Sequence, residues 1–308
     1  MKSRGENSSM EKVKIGIDLG GSHVAIGVVD DSGKIIEQFE KDFTTKEKEN
    51  LIETAENYIV EIIEKLKIKY EFFKIGIGMA GSIQNGVILK SVNLGVKGYN
   101  LKEKLEKKIN LDVTIRNDAK CAAIAEYKYG NNMKNYKNII FLTLGTGIGG
   151  AFIHDGNLIT GSMSDGYEFG HMLINPNGPI CKCGKKGCFE TYGGILAFKK
   201  KVIERLGLSY DISGSELRAK MGEKMDDILD IIEQYIFDLS IGISNLINIF
   251  EPDLIVIGGG FARYDYLLLD RLKSYLSSSN LLFNERSEVN IKTAEFGNDA
   301  GIIGASLL

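Results

Sequence analysis

Two stretches of the chain share the same order of apolar and polar positions. In residues 14–36 and again in residues 138–159, an apolar run leads into a glycine-rich turn, a second apolar run follows, and a polar turn ends the pattern. Apolar runs joined by short glycine turns are typical of β-hairpins. The repeat therefore predicts a duplicated α/β protein in which each half opens with a hairpin and a cleft lies between the two copies.

The segments between and after the hairpins alternate between helix-like and strand-like patterns. In chain order, the predicted segments are a helix at residues 47–67, strands at residues 73–79 and 113–116, a helix at residues 119–129, a long helix at residues 225–250 and a strand at residues 254–257. Strands that alternate with helices favour a mixed sheet covered on both faces. The chain of 308 residues is long enough for two domains.

The turns of the two hairpins, at residues 20–21 and 145–147, have the composition of phosphate-binding turns. Glycine lets the backbone approach an anion closely, and successive N–H groups form a concave nest of donors. Ser22 and Thr146 add hydroxyl donors. Each turn runs into a second strand, so neither fits the dinucleotide fingerprint; an ordinary hairpin turn is the alternative for each. A third glycine turn, at residues 258–260, would suit contact with adenine or ribose.

Three of the four cysteines lie close together, with a histidine upstream: His171, then Cys181, Cys183 and Cys188, separated by lysines and glycines. Thiolate sulfur and imidazole nitrogen are the ligands that close a tetrahedral zinc site. The spacing predicts a structural Zn²⁺ that holds a loop rigid, with a disulfide or a reduced loop as the alternatives. Cys121, in an alanine-rich helical segment, is predicted to be a small buried side chain.

Carboxylates flank this cluster. Glu168 lies three residues before His171, and Glu190 lies two residues after Cys188. If the loop folds around an ion, these polar groups converge and would suit a polyhydroxylated ligand. Two surface glutamates are the alternative interpretation.

Asn117 and Asp118 stand between a predicted strand and a predicted helix. Both residue types are favoured at helix N-caps, which is their structural interpretation. Beside two phosphate-binding turns, an amide and a carboxylate would instead orient and deprotonate a hydroxyl group. Phosphoryl transfer requires positioning, charge neutralisation by magnesium and one such base.

Composition narrows the other possibilities. The 38 basic residues nearly balance the 41 acidic ones, so no strong nucleic-acid field is expected. The longest apolar candidate, residues 239–250, is too short and too polar to span a membrane. The first residues, MKSRGENSSMEK, lack the apolar segment of a signal peptide. With its few cysteines, the chain is expected to be cytoplasmic, with no nucleic-acid or membrane partner.

Taken in order, the motifs resemble those of the ROK family of sugar kinases and repressors. The series is DLGGSH, AGSIQNGVILKSVNL, RNDAKCAAIAE, LGTGIGG, EFGH, CKCGKKGCFE, IVIGGG and GNDAGIIGA, and it spans nearly everything from Lys12 to Leu308. The resemblance implies an actin-like, hexokinase-type fold of two lobes with an interlobe active site. The expected division is a disordered leader at residues 1–11, a small N-terminal lobe at residues 12–129 plus about 296–308, and a large C-terminal lobe with the zinc loop at residues 130–295.

The resemblance also implies a role for each motif residue, with Asp118 as the catalytic base. The implied sugar-binding residues are Gly81, Asn93, Asn117, Asp118, Glu168, His171 and Glu190. The implied ATP-binding residues are Asp18, Gly20, Gly21, Ser22, His23, Gly145, Thr146, Gly147, Gly149, Gly150, Gly258, Gly259 and Gly260. The implied zinc ligands are His171, Cys181, Cys183 and Cys188, so that His171 serves both the metal and the sugar.

By this resemblance the chain is expected to be a hexose kinase that uses ATP, Mg²⁺ and a structural Zn²⁺, and to form a homodimer or a dimer of dimers. Glucose phosphorylated at O6 is the first substrate considered; N-acetylmannosamine, N-acetylglucosamine, fructose, allose or a β-glucoside are the alternatives. Lys120, Ser82 and Gln84 depart from the family pattern and bear on the choice of sugar. A repressor would need a helix-turn-helix ahead of the first hairpin, where only a short polar stretch is present. A non-catalytic sugar-binding protein is the remaining alternative.

Overall fold

A computed structural model describes residues 10–283 and 290–308 of the chain. Most of the predicted leader lies outside the described residues, whereas Glu11 already belongs to the first strand. The strands are β1 (Glu11–Lys12), β2 (Lys14–Leu19), β3 (His23–Val29), β4 (Ile35–Asp42), β5 (Tyr70–Glu71), β6 (Lys74–Met79), β7 (Ser82–Gln84), β8 (Val87–Lys90), β9 (Tyr99–Asn100), β10 (Asp112–Asn117), β11 (Asn138–Leu144), β12 (Ile148–His154), β13 (Asn157–Ile159), β14 (Leu254–Gly259) and β15 (Ile291–Thr293). The α-helices are α1 (Leu51–Lys69), α2 (Leu101–Ile109), α3 (Asp118–Tyr129), α4 (Glu190–Gly193), α5 (Ile195–Leu206), α6 (Gly214–Glu223), α7 (Met225–Phe250), α8 (Asp265–Ser278) and α9 (Ala300–Ser306).

The chain divides into two compact units. The first unit runs to Tyr129 and also includes Gly161–Gly166 and Asp299–Leu308; the second comprises Gly130–Thr160 and Tyr167–Asn298. Compared with the division expected from the sequence, the short segment Gly161–Gly166 belongs to the first unit, and the C-terminal segment of that unit begins at Asp299.

The main sheet of the first unit has the strand order β10-β6-β2-β3-β4. β10, β6 and β2 run parallel, and β2, β3 and β4 form an antiparallel meander. Every second residue of β2 faces the core: Ile15 and Ile17 pack with Ile59 and Ile63 of α1 in one apolar cluster. Because side chains alternate along a strand, the intervening residues of β2 lie on the opposite face.

Helix α9 covers that opposite face, and the sheet is shaped to receive it. A Cβ atom on Gly16 would overlap the carbonyl oxygen of Ile302, and one on Gly76 would overlap that of Ala305. The two glycines therefore let the helix backbone lie directly against β2 and β6. This approach places α9 beside Asp18, since a Cβ on Gly301 would lie 3.4 Å from the Asp18 Cγ.

The main sheet of the second unit repeats the same plan in the order β13-β12-β11-β14-β15. β11 pairs antiparallel with β12 and parallel with β14, as β2 does with β3 and β6. Leu142 and Leu144 of β11 belong to an apolar cluster that includes Leu239 and Ile243 of α7. The duplicated α/β halves predicted from the sequence are thus present as two sheets of equal strand order.

Most segments predicted from the hydrophobic pattern are present, with shifted ends. The helix predicted at residues 47–67 begins as the 3-10 turn Glu47–Asn50 and becomes α-helical only at Leu51. The bounds of α7 are those predicted, whereas the strand predicted at residues 254–257 extends to Gly259. Helices α2, α4, α5, α6 and α8 were not predicted from the hydrophobic pattern. No helix in the described part of the chain is both long and apolar enough to cross a membrane.

Candidate active site

The junction of β10 and α3 presents Asn117 and Asp118. The backbone N–H of Ala119 donates to Oδ1 of Asn117 at 3.1 Å and to Oδ1 of Asp118 at 2.9 Å. Both side chains therefore accept a hydrogen bond at the start of α3, as the capping interpretation predicted. The contact with Ala119 fixes the orientation of the Asp118 carboxylate through Oδ1.

Two further contacts hold this junction in place. The side-chain amide of Asn117 donates to the carbonyl oxygen of Gly81 at 3.3 Å. Asp165 accepts from the backbone N–H of Asn117 at 2.8 Å and forms an ion pair of 2.9 Å with Arg116. Asp165 is 9% exposed, whereas the Arg116 side chain is 33% exposed, so the pair is shielded from water mainly on its carboxylate side. Asp165 was not predicted from the sequence, because its partners lie 48 and 49 residues away in the chain.

Asp18, near the end of β2, brings a second carboxylate to the first unit. Burial, and then the charge of Asp118, raise the pKa of Asp18 to about 6, against an opposing effect of His23. Burial also raises the pKa of Asp118, opposed by the N–H of Ala119 and by the charge of Lys120. Two neighbouring, partly buried carboxylates repel each other, and oxygen donors of this kind are the ligands that Mg²⁺ prefers. The pair therefore fits a hydrated Mg²⁺ ion.

The first glycine turn, at residues 20–21, directly follows β2, the strand that carries Asp18. The N–H of Gly20 donates to the carbonyl oxygen of His23 at 3.0 Å, and the Ser22 hydroxyl lies 3.3 Å from Nδ1 of His23. A Cβ atom on Gly21 would lie 2.6 Å from the carbonyl oxygen of Asn93. The structure thus brings a predicted phosphate-binding turn against Asn93, which was predicted to bind sugar.

The second glycine turn closes in a similar way within the second unit. The N–H of Gly145 donates to the carbonyl oxygen of Gly147 at 2.9 Å. A Cβ atom on Gly147 would lie 2.5 Å from Oε2 of Glu190. Gly149 and Gly150 follow the turn in β12, where they pair with Thr143 and Leu142 of β11. The predicted turn and the predicted sugar ligand Glu190 are therefore neighbours.

The third glycine turn, at residues 258–260, meets the second one. A Cβ atom on Gly259 would lie 2.9 Å from the carbonyl oxygen of Leu144, the last residue of β11, and one on Gly260 would lie 2.8 Å from Ile195. A Cβ atom on Gly194, which precedes α5, would lie 3.3 Å from the carbonyl oxygen of Thr146. Two glycine turns and the first residue of a helix thus surround one place in the second unit, an arrangement suited to phosphate groups.

The four predicted zinc ligands come together in the same unit. One ligand atom from each of His171, Cys181, Cys183 and Cys188 lies within 4.8 Å of the others. Nδ1 of His171 is 3.7 Å from the Cys181 sulfur, and the Cys183 and Cys188 sulfurs are 3.6 Å apart. All four cysteines of the chain are free thiols, so the disulfide alternative is not what the structure contains. Three thiols and one imidazole at these separations fit a tetrahedral Zn²⁺ ion.

Glu190 links this cluster to the second glycine turn. The Cys181 thiol donates to Oε1 of Glu190 at 2.8 Å, and Nδ1 of His171 lies 3.8 Å from the same oxygen. Glu168 precedes the 3-10 turn Phe169–His171 and is exposed. The side chain of His171 is 37% exposed, so its other ring nitrogen can serve a ligand from solvent. The predicted sugar-binding residues of this unit therefore adjoin the candidate metal site.

Comparison with known proteins gives the class to which this arrangement belongs. A model of the ROK family matches residues 14–308, and the chain belongs to that family. A glucokinase of Streptomyces coelicolor is 30% identical over 309 residues, which cover 95% of this chain and 96% of that protein. An N-acetylmannosamine kinase of Haemophilus influenzae is 28% identical over 298 residues, which cover 95% of this chain and 93% of that protein.

Solved structures agree with this assignment. A ROK family glucokinase from Streptomyces griseus, in complex with glucose and AMPPNP, is 28% identical with a TM-score of 0.78, and the match covers 96% of this chain and 98% of that chain. The family expected from the motif series is confirmed. The expected fold class, the duplicated α/β fold of actin-like and hexokinase-type proteins, is confirmed as well.

Proposed function

We propose that this protein transfers the γ-phosphoryl group of ATP to a hydroxyl of a hexose, with O6 of glucose as the first candidate. The enzyme class is confirmed: the chain is an ATP-dependent sugar kinase, similar across nearly its whole length to a glucokinase and to a glucokinase complex with a nucleotide analogue. The observation that carries the finer proposal is the carboxylate of Asp118, oriented through Oδ1 by the N–H of Ala119 at the junction of β10 and α3.

Asp118 would act as the general base. As the bond from the sugar oxygen to the γ-phosphorus forms and the bond from that phosphorus to the β,γ-bridging oxygen breaks, Oδ2 of Asp118 takes the hydroxyl proton and ADP leaves. Burial raises the pKa of Asp118 and so makes its carboxylate a better proton acceptor. Asn117, held by Gly81 and Ala119, would orient the same hydroxyl.

The remaining sugar hydroxyls would be bound by the charged groups of the second unit. Glu168 and Glu190 supply acceptors, and charge-assisted hydrogen bonds are stronger than those between neutral groups. His171 would add one ring nitrogen, while Nδ1 faces the thiols. We include Asn93 because the first glycine turn packs against its backbone.

Two metal ions complete the proposal. His171, Cys181, Cys183 and Cys188 would hold a structural Zn²⁺ that fixes the loop carrying Glu190. Asp18 and Asp118 would hold a hydrated Mg²⁺ ion, which supplies charge neutralisation for the ATP phosphates. The phosphates themselves would bind the three glycine turns, with Ser22 and Thr146 as hydroxyl donors.

An N-acetylhexosamine is the second candidate substrate, because the N-acetylmannosamine kinase relative matches this chain over nearly the same length as the glucokinase does. A screen of ADP release over glucose, N-acetylmannosamine, N-acetylglucosamine, fructose and allose decides between them. We expect the highest kcat/KM with glucose and slower ADP release without sugar. Equal ADP release with every sugar and with none would contradict the hexose kinase proposal.

A further inference from the structure

Asn93 lies on a short loop of the first unit, between β8 and β9. Ser91 and Val96 close this loop as an antiparallel bridge, with N–H···O distances of 2.9 and 3.1 Å between their backbones. Asn93 is exposed, whereas Ser91 before it and Leu94 after it are buried. The loop therefore exposes the Asn93 side chain from a backbone whose neighbouring residues are held inside the unit.

The Ser91 hydroxyl joins this loop to the end of β6. It donates to the carbonyl oxygen of Ala80 at 2.7 Å and accepts from the backbone N–H of Leu94 at 3.3 Å. Ser91 is 2% exposed, so the hydroxyl itself is shielded from water. A buried hydroxyl without partners costs free energy, and here both its donor and an acceptor position are used. One side chain thus ties the residue after Asn93 to a neighbouring strand end.

The same strand end also holds Asn117. Gly81 directly follows Ala80, and its carbonyl oxygen accepts from the side-chain amide of Asn117 at 3.3 Å. A Cβ atom on Gly81 would lie 3.0 Å from the Cβ of Ser91, so the two segments are in close contact. The segment of Ala80 and Gly81 is therefore a common support for Asn117 and for the loop of Asn93.

The first glycine turn provides a second contact to the loop. A Cβ atom on Gly21 would lie 2.6 Å from the carbonyl oxygen of Asn93, so the two backbones touch. Such a steric contact prevents approach from one direction only, whereas a hydrogen bond sets a distance. The Ser91 hydroxyl is thus the contact that can fix the separation between Asn93 and Asn117.

We propose that Ser91 is a positioning residue for sugar binding: its hydroxyl fixes Asn93 relative to Asn117, so that the two side chains meet two hydroxyl groups of one hexose. Groups that are held in place before binding lose less conformational freedom when the ligand arrives. The inference rests on the proposed function, because it takes Asn93 and Asn117 as sugar ligands. Ser91 itself is buried and acts only through Asn93.

The test begins with Ser91→Ala in the full-length protein, which removes the hydroxyl and changes the side-chain volume little. Coupled ADP release is measured with the sugar of highest kcat/KM in the screen described above, expected to be glucose. KM for the sugar should rise by roughly fivefold to tenfold, the loss that one hydrogen bond typically carries, while kcat stays within about twofold. KM for MgATP should not change, because the loop of Asn93 is proposed to serve the sugar.

Ser306→Ala is the matched control. Ser306 is 4% exposed, and its hydroxyl donates to the carbonyl oxygen of Ile303 at 2.7 Å within α9. The control therefore removes a buried serine hydroxyl of the same unit that has no contact with the loop of Asn93. KM for the sugar should keep its parental value in Ser306→Ala even if the free energy of unfolding falls.

A double-mutant cycle separates positioning from a general structural role. Asn93→Ala alone should raise KM for the sugar, and Ser91→Ala added to it should raise KM no further, because the residue through which Ser91 acts is gone. A parental KM in either single variant, or additive effects in the double variant, would overturn the inference.

Two further measurements keep the result unambiguous. If Ser91→Ala does not fold, as judged by thermal unfolding, Ser91→Cys keeps a weaker hydrogen-bonding group and should show the same rise in KM at constant kcat, to a smaller extent. Failure of the kinase proposal is a separate result, because it is measured in the parental protein as ADP release that no sugar stimulates.

Discussion

The two hairpins that open the two units have the same pairing and carry different chemistry. Asp18 is second to last in β2 and pairs with Gly78 of β6; Thr143 is second to last in β11 and pairs with Gly258 of β14. A leucine and a glycine follow in both copies. At equivalent points of equivalent strands, the first unit therefore has a partly buried carboxylate and the second a neutral hydroxyl.

The residues around the two glycine turns extend this difference between the units. Asp118 is close enough to Asp18 to raise its pKa, so the first unit concentrates negative charge at its turn. The second unit places its second glycine turn next to Glu190, which accepts a hydrogen bond from the Cys181 thiol. The duplicated sheet thus supplies two similar turns, and the side chains at and around each turn give the two turns different charge and different neighbours.

The largest effect expected is the loss of the base in the first unit. Asp118→Asn should lower kcat by roughly two to four decades, the range for a positioned general base, while the amide still hydrogen-bonds the sugar hydroxyl and leaves KM for sugar nearly unchanged. Coupled ADP release with glucose is the measurement. Asp112→Asn, at the exposed start of the same strand, is the control. Turnover at the parental rate in Asp118→Asn would remove the assignment of the base.

Next in size is the loss of the metal cluster in the second unit. Cys183→Ser should abolish binding of about one Zn²⁺ per chain and lower the free energy of unfolding by ~3 kcal/mol or more, as loss of a structural metal does. Affinity for sugar should fall with it, because Glu190 loses its support. Elemental analysis and thermal unfolding measure the two effects.

Cys121→Ala is the control for this experiment, since Cys121 is a buried thiol outside the cluster. The Cys121→Ala variant should keep its zinc even if its free energy of unfolding changes. Carefully purified parental protein without zinc would contradict the metal site.

The two glycine turns should respond differently to an added methyl group. In Gly21→Ala the Cβ meets the backbone carbonyl of Asn93, which cannot move alone, and we expect a loss of about 2 kcal/mol of stability, as overpacking typically costs. In Gly147→Ala the Cβ meets only the end of the Glu190 side chain, so stability should change less while KM for sugar rises. Thermal unfolding and sugar kinetics of both variants test this contrast; equal loss of stability in both would argue against it.

The smallest effect concerns Asp18 and depends on pH. Its folded-state pKa of about 6 lies above its ordinary value, so the folded protein binds more protons than the unfolded chain between the two pKa values. Stability must then fall as pH rises through this window, and the full penalty remains above about pH 6. Without Mg²⁺, Asp18→Asn should stabilise the protein at neutral pH, and the gain should shrink as the pH falls from 6 toward 4.

Unfolding curves at several pH values, with exposed Asp42→Asn as the control, check this prediction. A gain for Asp18→Asn that is independent of pH would show that the carboxylate is not the cause.

The features predicted best from the sequence are those that the local hydrophobic pattern and the motif spacing determine. The bounds of α7 follow from a long run of apolar positions at helical spacing, and the thiol cluster follows from ligands within a short loop. The paired hairpins were predicted because each is a contiguous segment with its own turn. The roles of the individual site residues stay predictions.

Contacts between segments that are far apart in the chain could not be predicted from the hydrophobic pattern. Asp165 reaches Arg116 and Asn117 from a loop that reads as an ordinary turn in sequence, and only the folded first unit shows that it supports the base. Helix α5 was missed although its buried residues Ile195, Phe198, Val202 and Ile203 recur at helical spacing.

Helix α9 bears on the order in which the molecule folds during synthesis. The strands of the first unit leave the ribosome early, but Asp299–Leu308, which completes that unit, follows nearly all of the second. Until then, the face of β2 and β6 at Gly16 and Gly76 has no α9 to cover it. The second unit needs only its own segments to form its core. Since contacts of long sequence separation form late, the unit encoded second is expected to reach its native packing first.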